Sequence, residues 1–74
     1  MTVPVHDKDA FIPEITKTLA ALGYRLGSQA GNVLTFTPSA RAGIFAPEVT
    51  VEVEETSATI VGPSTQLRKL QKRL

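Results

Sequence analysis

No cysteine occurs among the 74 residues, which removes disulfides, a thiolate nucleophile and cysteine-based zinc sites from consideration. Tryptophan is also absent, and there is one histidine, so a histidine-rich metal site or a serine-histidine-acid arrangement has only His6 to draw on. No stretch approaches the ~20 apolar residues of a membrane span. Met1 to Asp9 (MTVPVHDKD) has neither the cationic start nor the apolar run of a secretory signal, so a cytoplasmic protein without membrane contact is expected. Eight basic residues stand against seven acidic ones, a balance that gives no overall pull toward nucleic acid or anionic lipid.

What is there is ordinary globular material. Hydrophobic residues make up 42% of the chain and charged residues 20%, too apolar for intrinsic disorder. The length fits a single domain spanning residues 1–74, close to the lower size at which a chain folds without disulfides or metals. In a domain with so small a core, a partner or a second copy would add appreciably to stability.

The apolar residues Phe11, Ile12, Ile15, Leu19 and Leu22 recur at helical spacing, with Glu14, Lys17, Ala20 and Ala21 opposite. Asp9 is the expected cap, Pro13 disturbs the early turns, and Gly23 supplies the stop. After Gly23 the period shortens to two: Tyr24 and Leu26 share one face of a short strand, with Arg25 on the other. Gln29 to Asn32 carries turn residues, and Leu34 and Phe36 then alternate against Val33, Thr35 and Thr37, which together predict a hairpin. Val49, Val51 and Val53 alternate with Thr50, Glu52 and Glu54, the cleanest strand pattern in the chain. Ala58 to Val61 follows as a further strand, ended by Gly62-Pro63, and Ser64 is expected to cap a last helix carrying Leu67, Leu70 and Leu74.

These elements predict an α+β fold, a two-layer sandwich in which two helices cover one face of a four-stranded antiparallel sheet, in the order α-β-β-β-β-α. Thr2 to His6 would add an N-terminal edge strand, since Pro4 is tolerated only at an edge. With that strand, and with Pro38 to Pro47 turned helical, a ferredoxin-like order is the alternative.

Chemistry-bearing constellations are sparse. His6, Asp7 and Asp9 cluster near a helix start, where capping accounts for the acids and no metal site is expected. Glu52 and Glu54 share a strand face predicted to be wet, without the apolar wall that would raise a carboxyl pKa for proton transfer. Serines 28, 39, 57 and 64 sit in predicted turns, remote in sequence from His6. Gly23, Gly27 and Gly31 recur every fourth residue but follow a helix, the wrong context for a phosphate-binding loop. No catalytic residue and no cofactor are expected.

Two segments stand out. Arg68, Lys69, Lys72 and Arg73 line the face of the last helix opposite its leucines, a candidate nucleic-acid surface, although stacking aromatics and a GxxG loop are missing. Pro38 to Pro47 (PSARAGIFAP) places Ile44 and Phe45 beside Arg41 in an aperiodic loop, either as a lid on the core or as a partner contact. The expectation is therefore a non-catalytic interaction module that binds a protein partner or self-associates, as in a homodimer. The alternative is an accessory RNA- or DNA-binding domain using the basic helix.

Overall fold

Strand and helix positions follow the change of hydrophobic period closely. The computed structural model describes residues 1–38 and 47–73. In chain order these form β1 (Thr2–Pro4), α1 (Lys8–Ala21), β2 (Tyr24–Ala30), β3 (Val33–Pro38), β4 (Val49–Val53), β5 (Ser57–Val61) and α2 (Ser64–Arg73). The strands make one antiparallel sheet in the order β1-β5-β4-β3-β2, so the N-terminal edge strand is present and the sheet has five strands among the described residues. Among the described strands β2 to β5 pair in chain order, with β1 added at the far edge beside β5. That all-antiparallel order differs from the ferredoxin-like alternative, whose split β-α-β units pair strands in parallel, and the helix which that alternative places within Pro38 to Pro47 falls on residues 39–46, outside the described residues.

α1 begins two residues earlier than a cap at Asp9 implies. Asp7 is the cap: its Oδ1 accepts from the Asp9 backbone N–H at 3.0 Å, and the Asp7 carbonyl accepts from Phe11 N–H. Asp9 instead sits in the first turn, where its charge still favours the positive helix end. Pro13 is then an interior helical residue, exposed to solvent, and withdraws one donor from the Asp9 carbonyl. Ile15 and Leu19 are buried, whereas Phe11, Ile12 and Leu22 are only half-buried along the margin of the apolar arc. Gly23, at φ 95°, turns the chain out of the helix into β2.

The hairpin forms, but β2 is longer than the alternation suggests. It runs to Ala30, and the turn is only Gly31-Asn32, with Ala30 paired to Val33. Gly31 has φ 61° and Asn32 is not in the positive region, the pattern of a two-residue II′ connection. The register slips between Leu26 and Ser28, where Gly27 forms a bulge beneath Thr37. A Cβ on Gly27 would lie 2.8 Å from Thr37 Cγ2, so a larger residue there would have to displace the threonine.

α2 is not capped by Ser64. Ser64 is its first residue, and the Pro63 carbonyl accepts from both Gln66 and Leu67 N–H at 3.0 Å, so the backbone of Gly62-Pro63 sets the helix start. Leu70 is buried and Leu67 half-buried, while Leu74 lies outside the described residues.

The core is a single cluster. Leu34, Phe36, Val49, Val51, Val53, Ala58 and Ile60 supply the inner face of the sheet, joined by Val5, Ile15, Leu19, Tyr24 and Leu70. Among the described residues no polar or charged residue is buried with them. Register stacks the inner positions in rows, such as Leu34 opposite Val51 opposite Ile60, so side chains from neighbouring strands touch directly.

Candidate functional site

Alternation in the sheet creates a second face as regular as the first. Position by position, Ser28, Thr35, Thr50 and Val61 lie in one row across four strands. Ala30, Val33, Glu52, Thr59 and Thr2 lie in the next across all five. These residues are exposed or half-buried, and Val61 is 62% exposed. Within the strands of this outer face, Arg25 and Glu52 are the only charged residues; the rest are threonine, serine, valine, alanine and Pro4. β-Branched residues are what strand geometry favours, but a face meant only for water more commonly mixes in lysine and glutamate.

The basic residues of α2 are all exposed: Arg68, Lys69, Lys72 and Arg73 occupy its second half, with Leu70 turned into the core between them. Lys72 and Arg73 lie in the last turn, where positive charge complements the helix dipole. The acids Glu48, Glu52, Glu54 and Glu55 follow β4 and its flanks, and each is exposed. Thus the sheet carries its negative charge along one central strand while the last helix carries the positive charge.

The loop candidates Arg41, Ile44 and Phe45 lie outside the described residues. Their flanks are described: Pro38 ends β3, and the Pro47 carbonyl accepts a hydrogen bond from the Tyr24 hydroxyl at 3.3 Å. This ties the exit of the segment to the start of β2. Tyr24 is 2% exposed, and burial raises its phenol pKa above the ordinary value of 10.0. The folded protein therefore holds the phenolic proton more tightly than the unfolded chain does. The stability this contributes is intact below pH 10 and is lost as the pH rises through the raised folded-state value. Thermal melts from about pH 9 to about pH 12 are expected to show a decline that Tyr24→Phe reduces; equal declines in both proteins would refute the assignment.

A surface groove of about 450 Å³ lies beside β1, lined by Val3, Pro4, His6, Phe11, Glu14 and Gln71. His6 and Glu14 are both exposed. No cluster of three or more metal-ligating side chains occurs among the described residues, and no described helix is long and apolar enough to cross a membrane. Asp7 and Asp9 are engaged at the helix start.

Comparison with protein-family models, with curated proteins and with solved structures returns no match. Function therefore rests on these surfaces. Of the residues singled out from sequence, the four α2 cations come together on one exposed face. The outer sheet face is not evident from the sequence, because the outward positions Val33, Thr35 and Thr37 read simply as the wet side of a strand. The signal available was their composition, nearly free of charge.

Proposed function

We propose that this chain is a non-catalytic interaction module that binds a protein partner or a second copy of itself. The observation that carries the reading is the open outer face of the sheet, where Val61 stands 62% exposed among half-buried Val33, Thr35, Thr37 and Thr50. A contiguous surface of this kind loses little on desolvation, because threonine and valine present methyl groups and few charges to strip of water. We further infer a two-layer arrangement in which α1 and α2 lie together on the opposite, inner face. Its support is that Ile15, Leu19 and Leu70 share one cluster with Phe36, Val51 and Ile60.

Within this reading the Arg41, Ile44 and Phe45 segment supplies the anchor. Pro38 and Pro47 bracket it and reduce the conformations it must give up on binding. Phe45→Ala is expected to weaken association at least roughly tenfold, as expected for loss of an aromatic anchor, while the isolated domain keeps its melting temperature. Calorimetric binding and a thermal melt on the same variant test this. A collapse of stability with unchanged binding by the residual folded protein would assign Phe45 to the core instead.

The second reading, an accessory RNA- or DNA-binding domain, is favoured by one observation, the exposed cations Arg68, Lys69, Lys72 and Arg73 on α2. Such binding would be electrostatic and would weaken steeply with salt.

A further inference from the structure

We propose that the chain associates head to tail with further copies of itself, the cationic face of α2 in one copy seating on the exposed glutamates of β4 and its flanks in the next. This deepens the interaction-module reading by committing it to one occupant.

The first ground is charge complementarity. Arg68, Lys69, Lys72 and Arg73 place four positive charges on α2, which contains no acid. Glu48, Glu52, Glu54 and Glu55 place four negative charges in a segment that contains no cation. Leu70 anchors α2 in the core cluster while its cations are exposed, and Glu52 belongs to the outward positions of β4, between Val51 and Val53 in the core. Glu52 thus faces away from the core into which Leu70 packs, and a second molecule supplies the cations it would meet.

Spacing is the second ground. On α2 the cations form two parallel rows, Arg68 with Lys72 and Lys69 with Arg73, each pair separated by about 6 Å of helix rise. Along β4 and its continuation, Glu52 and Glu54 are two residues apart, about 6.8 Å of strand rise, on the same side by alternation. One row of cations therefore meets one row of carboxylates without a change of backbone.

A third feature gives the contact an apolar floor. Glu52 is opposite Thr59, and Thr50 is opposite Val61. Lysine and arginine stems laid along Thr50, Thr59 and Val61 would cover the exposed Val61 side chain while their charged ends reach Glu52 and Glu54. Because the two halves of the interface differ, each added copy leaves one basic and one acidic face free, and assembly proceeds as an open chain or a ring.

The test is sedimentation of the full chain alongside two variants. One carries Arg68→Gln, Lys69→Gln, Lys72→Gln and Arg73→Gln, and the other carries Glu52→Gln, Glu54→Gln and Glu55→Gln. All seven positions are exposed, and unchanged melting temperatures will confirm that both variants fold. The native chain is expected to gain mass with concentration at about 0.01 M salt and to associate at least roughly tenfold more weakly at about 1 M, where the screening length has shrunk about tenfold. Each variant alone should stay monomeric. Mixed in equal amounts they should form a one-to-one complex that grows no further, since each keeps the face the other has lost. A native chain that stays monomeric at low salt overturns the proposal, as does a mixture that stays monomeric or a variant that still associates alone. If the native chain is monomeric yet Phe45-dependent partner binding persists, only the head-to-tail contact fails; loss of both rejects the module reading too. A monomeric native chain that binds a single-stranded oligonucleotide, with that binding lost in the four-cation variant, would assign the α2 face to nucleic acid.

Discussion

Val51→Asp is expected to leave the chain without a cooperative unfolding transition. Val51 is fully buried in β4, with Leu34 opposite on one side and Ile60 on the other. No polar residue shares the core among the described residues, so a carboxylate at this position meets no donor. Leaving a polar group unpaired there costs several kcal/mol, and an ionised one costs more, whereas a small domain has only about 5 kcal/mol in total to lose. Thr50→Asp is the control: one residue away it faces outward and is half-buried, and it should retain a cooperative melt. Circular dichroism on both variants decides the matter, and a cooperative transition at unchanged temperature for Val51→Asp would refute the placement.

Phe36→Ala should cost about 3–5 kcal/mol, the range for deleting a fully buried aromatic side chain and leaving a cavity. Phe36 is fully buried and heads the largest buried side chains of the core. It lies opposite Leu26 on one neighbouring strand and Val49 on the other. Leu26, itself 41% exposed at the sheet edge, is poorly placed to collapse into the space. Phe36→Leu removes less volume and is expected to cost less than Phe36→Ala, so urea titration of the pair should rank native, leucine, alanine. Equal stabilities for the two variants would show that the site closes up on its own.

Much of this architecture is written in the hydrophobic periods. Val49, Val51 and Val53 alternate so regularly because β4 is a central strand with one dry face, and Leu34, Phe36, Ala58 and Ile60 follow the same rule on its neighbours. β2 was harder to read for a definite reason. The bulge at Gly27 changes the alternation between Leu26 and Ser28, so the second half of the strand falls out of phase and resembles a turn. Helix starts were displaced because a cap depends on the path by which the chain enters. Asp7 and Asp9 both have the right side chain, and only Asp7 has the extended backbone that lets its oxygen reach forward. At α2 a prolyl carbonyl does what Ser64 was expected to do, and composition alone gives no hint of that. The candidate surfaces were legible to different degrees: the α2 cations announce themselves by helical spacing, whereas the outer sheet face emerges only when strand register sets Thr35, Thr50 and Val61 side by side.

The sheet also divides its own assembly unequally. Every seam of the β2–β5 meander joins strands that follow one another among the described residues. The seam between β1 and β5 instead pairs Thr2 with Thr59 and Val3 with Ala58, and Met1 and Ile60 continue it by backbone hydrogen bonding. These pairings close a longer stretch of chain than any other seam of the sheet, so they carry the largest single loop-closure cost, one that grows only slowly with length. β1 thus serves as the latch of the fold: its short ladder joins the first strand to the last, and opening it would uncover a β5 backbone edge while leaving the meander paired.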